Sequence, residues 1–142
     1  MKYIKLLMVI LSLFKANVTY AQTMDTHKWN DRLILILIDQ EANENYNPQL
    51  TEFKKHIKGL IERKVVIYHI KPDAFKKGLN NTNWQQEKTV YKFYKKTDEP
   101  FEIVLVGLDG SVKLRQTEIL PCKNLFSIID SMPMRRYEEN KK

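Results

Sequence analysis

Residues 100–116 read Pro-Phe-Glu-Ile-Val-Leu-Val-Gly-Leu-Asp-Gly-Ser-Val-Lys-Leu-Arg-Gln, and that stretch decides the fold. An apolar, β-branched run from Phe101 to Leu108 meets Asp109-Gly110, and a shorter alternating run with Val112 and Leu114 follows. Asp-Gly between two such runs predicts an antiparallel hairpin, since a two-residue type I′ turn needs positive φ at both central positions. The unbroken apolar first run predicts a strand buried on both faces.

Upstream, Leu33 to Ile38 is apolar without a break, too short for a typical helix and suited to a central strand. Asp39–Asn47 is polar and turn-forming. Pro48 then sits as a first helical residue, with Asn47 as its cap and Glu52 in the opening turn. Leu50, Phe53, Ile57, Leu60 and Ile61 follow helical spacing. Lys64–Ile70 reads as a second strand, and Lys71–Thr82, with Pro72, Gly78, Asn80 and Asn81, as a loop. A second helix capped by Thr82 or Asn83 runs to Lys95 and turns Trp84, Val90, Tyr91, Phe93 and Tyr94 inward. After the hairpin, Pro121 opens a third helix that buries Leu125, Phe126, Ile128, Ile129 and Met132. Pro133 ends or kinks it, and the charged run from Tyr137 is expected to fray.

The order β-α-β-α-β-β-α is that of the thioredoxin fold, an α/β architecture with a four-stranded mixed sheet. Its first two strands should be parallel with a right-handed crossover. A doubly wound, flavodoxin-like sheet would place a helix after every strand, and the Asp-Gly turn speaks against it.

The first residues read as a secretory signal peptide: Lys2 and Lys5, then Leu6–Phe14, apolar apart from Ser12, then a stretch ending in Thr19-Tyr20-Ala21. At ~1.5 Å per residue the apolar part covers about half of a bilayer core, and Lys15 stops it. Cleavage is expected between Ala21 and Gln22. A lipoprotein would need a cysteine at the cut, and the only cysteine is Cys122. The expectation is a periplasmic or secreted chain without a membrane anchor: signal peptide 1–21, thioredoxin-like domain 22–138 and charged tail 139–142. Removing the leader takes away Lys2, Lys5 and Lys15 and no acidic residue, so the net charge falls from +7 to +4. That mild basic bias favours solubility and anionic neighbours; nucleic acid is not an expected partner. A chain of this size buries about two-thirds of its unfolded surface and can fold without disulfides.

In redox members of this fold, Cys-X-X-Cys lies where the loop after the first strand leads into the first helix. Here that loop, Asp39–Pro48, has no cysteine, serine, threonine or histidine. Asp39, Glu41 and Glu44 could bind a cation, or be solvated carboxylates. Pro100 lies just before the third strand, where many thioredoxin-like proteins carry a cis-proline; a cis bond is the expectation and a trans proline starting a strand the alternative. Cys122 is the one candidate for catalysis: a helix N-terminus and Lys123 favour its thiolate, whereas an inert, partly buried cysteine is the ordinary outcome. His27, His56 and His69 share no ligand-like spacing, and no Ser/His/Asp arrangement or phosphate-cradling loop is present. Neither a metal nor a cofactor is expected.

Four segments carry a resemblance: Trp29–Leu33, Glu62–Val66, Val106–Arg115 with Gly-X-Asp-Gly-X-Val-Lys-Leu-Arg, and Ile129–Glu138 with Asp-X-Met-Pro-Met-Arg-Arg. Together they resemble the domain of unknown function 4174 family. The resemblance implies a thioredoxin-like fold, exported bacterial proteins, and kinship with domains of vertebrate sushi-repeat and matrix-associated extracellular proteins. It implies no activity. Leu108 departs from the lysine expected in the family's Gly-Lys-Asp-Gly. Met132 and Met134 should pack the end of the last helix, with Asp130 paired to Arg135 or Arg136. Arg115, Arg135 and Arg136 are the candidate binding residues, as guanidinium groups suit carboxylate or phosphate. Two functions follow as expectations. One is a non-catalytic exported module that binds an extracytoplasmic protein or anionic ligand. The other is a thiol-dependent, peroxiredoxin-like enzyme using Cys122.

Overall fold

A computed structural model describes residues 24–141, so the leader and its cleavage site at Ala21 lie outside the described residues. Strand β1 (Arg32–Ile38) is buried at every position. It pairs in parallel with β2 (Val65–Lys71) and antiparallel with β5 (Phe101–Val106), so that Leu33 matches both Val66 and Val106. β5 pairs antiparallel with β6 (Val112–Gln116) through the expected hairpin. The fold is thus the thioredoxin-like mixed α/β arrangement, with one correction. The sheet has six strands rather than four, in the order β4-β3-β2-β1-β5-β6.

The two added strands lie where the sequence reads as loop and helix. β3 (Ala74–Lys77) runs back antiparallel to β2, and β4 (Gln85–Gln86) pairs with β3. Their residues are too few and too polar for a periodic signal, and backbone pairing on an open sheet edge supplies the order instead. The second helix is correspondingly short. α3 (Thr89–Tyr94) starts where Glu87 accepts the backbone N–H groups of Thr89 and Val90, at 2.7 and 2.8 Å, instead of at Thr82 or Asn83.

The first helix is divided at His56, whose φ of −116° and ψ of 23° lie outside helical values. α1 (Tyr46–Lys55) begins ahead of Pro48, so Asn47 is inside the helix and not its cap; α2 (Ile57–Glu62) follows. The break rotates Ile57 and Ile61 outward while Leu60 stays buried. Gly59 is required here: a Cβ would lie 2.6 Å from the Phe126 ring.

α4 (Cys122–Ser131) begins just after Pro121 and buries Leu125 and Ile129, while Phe126, Ile128 and Met132 pack at the core margin. Pro133 both ends it and opens α5 (Pro133–Asn140), a position its fixed φ suits. The charged run from Tyr137 is therefore helical as far as Asn140, tethered by Glu138 to Arg32 and Lys64 at 3.2 and 3.3 Å.

Two further readings change. Pro100 is trans, since the described residues contain no cis peptide bond. Its carbonyl accepts the Asp39 N–H at 3.1 Å, as suits an extended residue leading into β5. The hairpin turn is the three-residue kind and not type I′: Gly110 N–H donates to Gly107 O at 3.0 Å, Gly107 N–H donates to Ser111 O at 2.9 Å, and Gly110 alone of the turn residues has positive φ.

Alternation along β1 splits the interior in two. Ile34, Ile36 and Ile38 join Phe53, Leu60, Leu105, Leu125 and Ile129 on the face covered by α1, α2 and α4. Leu33, Leu35 and Leu37 meet Met24, Tyr68, Val90 and Val104 on the other. His69 sits inside the first face. Its Nε2–H donates to Gly78 O at 3.0 Å, and its Nδ1 accepts the Tyr46 hydroxyl at 2.8 Å. Burial, and then the charge of Lys76, push the imidazole down to about 4.

A histidine held neutral in the fold but free to protonate once unfolded favours unfolding as acid is added. The loss begins as pH falls through about 6.5, the unfolded value, and is complete near the folded value. Stability measured by urea unfolding should fall across that window by about 3 kcal/mol from this group. In His69→Gln the slope over the same window should flatten, with carboxylate losses remaining at lower pH.

Candidate functional site

The end of the sheet where β1 finishes and β5 starts is the usual redox corner of this fold, and Cys122 does lie near it. Ile38 pairs with Phe101, and Gln116, which leads the chain out of β6, pairs with Ile103. α1 closes over the cysteine. The Gln49 side chain donates to Leu120 O at 3.0 Å and accepts Leu120 N–H at 2.6 Å, while Glu52 Oε1 accepts Cys122 N–H at 2.9 Å. Cys122 is 0% exposed. Burial, then the Glu52 carboxylate, push its thiol up to about 12. The thiolate that a helix N-terminus would favour is opposed here by desolvation and by a neighbouring carboxylate. An open cleft nearby is lined by Asn47, Pro48, Thr51, Glu52, Lys55, Ile119 and Pro121, without the cysteine.

Glu52, His56 and Cys122 each place one possible ligand atom within 4.8 Å of the others. Within this group Glu52 Oε1 accepts Cys122 N–H, and His56 Nδ1 donates to Glu52 O at 2.9 Å. In the loop after β1, Glu41 pairs with Lys71 at 3.0 Å.

The structure separates the candidate arginines. Arg115 bonds Tyr94 O at 2.7 Å and pairs with Glu102, a carboxylate that is itself 0% exposed and also receives Thr97 N–H at 3.1 Å. Arg135 is buried; its Nε reaches Asp130 at 3.3 Å, as expected, and its Nη2 reaches Glu62 and Glu139 at 3.1 and 3.2 Å. Arg136 is exposed one residue further on. Arg63 completes the cluster with a two-pronged bond to Asp130, at 2.9 and 2.7 Å. These contacts hold the Asp130 carboxyl below its ordinary range, the Arg63 bond most of all.

Arg32 occupies the opposite end of β1, about 20 Å along the strand at ~3.3 Å per residue. Its Nη1 donates to Arg63 O at 2.9 Å and to Glu138 at 3.2 Å. Its Nε and Nη2 are buried with no hydrogen-bond partner, an omission that ordinarily costs about 1–3 kcal/mol per group. The residue also lines a cleft of about 410 Å³, whose other walls are Leu108, Asp109 and Lys113 from the hairpin and Ser131–Met134 from the α4–α5 corner. Asp109 is bonded to Ser111 and Lys113, which hold its carboxyl down at about 2, with the Lys113 bond the larger cause. Trp29 and Lys64, the non-glycine described residues with positive φ, both adjoin this end: Trp29 N–H donates to Leu108 O at 2.6 Å, and Lys64 O accepts Arg32 N–H at 2.8 Å. The four segments that carried the family resemblance meet here.

Arg32 escaped the sequence reading, which named it only within the family segment Trp29–Leu33. Its signal is a charge set directly against a run that must be wholly buried. His27, which has no ligand-like spacing, is a structural histidine. Its Nδ1 donates to Asp31 at 2.7 Å and its Nε2 meets the Tyr68 hydroxyl at 2.8 Å, pinning the turn before β1 to β2.

Fold and site together define a thioredoxin-like domain without the cysteine pair of the redox members. Its backbone is similar to the mitochondrial 2-Cys peroxiredoxin of Plasmodium falciparum, with a TM-score of 0.50 and 14% identity over 82% of this chain and 83% of that one. It is also similar to the reduced 2-Cys peroxiredoxin of Plasmodium vivax, with a TM-score of 0.53 and 13% identity over 81% of this chain and 71% of that one. At such identity the likeness is one of fold. The chain belongs to the family Domain of unknown function (DUF4174), whose model matches residues 23–138. Comparison with curated protein sequences finds no match.

Arg135→Ala removes a buried side chain and its bonds to Asp130 and Glu62, whose carboxylates are partly exposed, and should cost about 1–3 kcal/mol in urea unfolding. Arg136→Ala, one residue along the same helix but exposed, should stay within about 0.5 kcal/mol of the parent.

Proposed function

We propose that this chain is an exported, non-catalytic binding module on a thioredoxin-like scaffold. The observation that carries the reading is the state of Cys122, fully buried with its thiol pushed up to about 12. Thiol chemistry on peroxides or disulfides proceeds through the thiolate. Burial and the Glu52 carboxylate both disfavour that form here. Export is supported by the leader-like composition of residues 1–21; among the described residues, no helix is long and apolar enough to cross a membrane. The peroxiredoxin likeness enters through the fold alone.

Native protein treated with hydrogen peroxide and dimedone should show no adduct at Cys122 by mass spectrometry. The same protein in urea should be labelled readily. Stoichiometric labelling of the native form, or a peroxide turnover abolished in Cys122→Ser, would sink the non-catalytic reading.

A further inference from the structure

A buried guanidinium normally has every donor engaged, because an unpaired polar group in a dry site is costly. Arg63 and Arg135 follow that rule through Asp130 and Glu62. Arg32 does not: its side chain is 1% exposed, Nη1 is occupied, and Nε and Nη2 have no partner. Those two atoms form one edge of the planar group, and their parallel N–H bonds match the two oxygens of a carboxylate.

The surroundings restrict what such an anion can be attached to. Leu108, Met132, Pro133 and Met134 make the cleft walls mainly apolar, and its volume of about 410 Å³ is that of a small-ligand pocket. Glu138 lies 3.2 Å from Arg32 Nη1, and Asp109 also lines the cleft. Lys113 pairs with Asp109 at 2.8 Å and Lys64 with Glu138 at 3.3 Å, so the local charge is close to balanced and the free fork suits a single negative charge better than the double charge of a phosphate monoester. The flanking methionines are unbranched and adaptable, so a guest can displace them to reach the guanidinium.

We propose that the cleft beside Arg32 binds the carboxylate end of a small amphipathic ligand, with the apolar part against Met132, Pro133 and Met134. The proposal rests on the binding-module reading and gives it a ligand class. Two sources share the chemistry, a free aliphatic acid and the C-terminus of a short peptide ending in an apolar residue.

Calorimetric titration of the full mature chain separates the outcomes. Octanoate should bind saturably, and octanamide should bind at least about tenfold more weakly because it cannot match the charged fork. Arg32→Lys keeps the charge but loses the fork, and Met134→Glu places a like charge at an exposed wall; each should lose about tenfold or more in octanoate affinity. If Arg32→Lys does not fold, Met134→Glu decides alone, with a thermal melt matching the parent. A leucine-terminated tetrapeptide, as free acid and as amide, identifies the source: tighter binding than octanoate by the free acid assigns a peptide C-terminus, weaker binding assigns a free acid, and either sustains the proposal. Absence of saturable binding by both acids, equal affinity for octanoate and octanamide, or tighter binding of octyl phosphate overturns it. Failure here leaves an inert Cys122 and the module reading in place, whereas peroxide labelling of native Cys122 removes that reading without touching the affinity of the cleft.

Discussion

Exclusion of water from both sides of β1 is the constraint on which the structure depends. Six aliphatic side chains from Leu33 to Ile38 are at most 2% exposed, and each contributes about 1.5–3 kcal/mol by leaving water. Because successive residues point to opposite faces, that gain is realised only if both faces are covered. α1, α2 and α4 cover the isoleucine face, and α3 with the turn around Met24 covers the leucine face. β2 and β5 satisfy the strand's backbone on either side. A one-residue slip would exchange the two faces and bring Arg32 to the leucine side, away from its partners.

The same register has a consequence at the strand's first residue. Arg32 shares the isoleucine face and is carried into the interior with its charge. Desolvating a guanidinium costs several kcal/mol, and ion pairs offset this only when the geometry is good. The chain meets that demand by converging: the end of α2 supplies Arg63 O, α5 supplies Glu138, and Asp130 with Arg63 and Arg135 locks α4 to α2. An apolar cluster of similar volume could be as stable. What the ionic cluster adds is direction: the forked Arg63–Asp130 bond ties the end of α2 to α4, and Arg135 ties α5 to both through Asp130 and Glu62.

How much of this is legible in the chain follows from the range of each interaction. β1, the β5–β6 hairpin and the start of α4 are written in local pattern, as an unbroken apolar run, an Asp-Gly turn and a proline. β3 and β4 are not, because four and two residues on a sheet edge owe their order to a neighbouring strand. The break at His56 has no glycine or proline to announce it. Asp109-Gly110 announces a turn but not its class, which depends on whether Asp109 also takes positive φ; it does not. The site was harder still. Sequence showed that Cys122 exists and that it starts a helix, but the upward shift of its thiol comes from burial and then from the Glu52 carboxylate of α1, 70 residues earlier. Arginines 115, 135 and 136 look alike in sequence; Glu102 and Asp130 claim two of them and leave the third in water.

The two ends of β1 ask for different things from the same scaffold. Covalent thiol chemistry needs an ionised, reachable sulfur, and the end near Cys122 supplies a buried one beside a carboxylate. Recognition needs only fixed donors whose desolvation is already complete, because the ligand then gains the interaction without that cost. Arg32 meets this condition: folding has stripped its water, Glu138 and Arg63 O hold one side of the guanidinium, and the other side is unsatisfied. Left-handed backbone at Trp29 and Lys64, each strained by roughly 1–2 kcal/mol, fastens that end of the strand to the hairpin and to the turn before β2. Strain of this kind persists only where surrounding contacts over-determine the backbone. In this domain the left-handed backbone of the non-glycine described residues lies at the end of the sheet that holds the guanidinium.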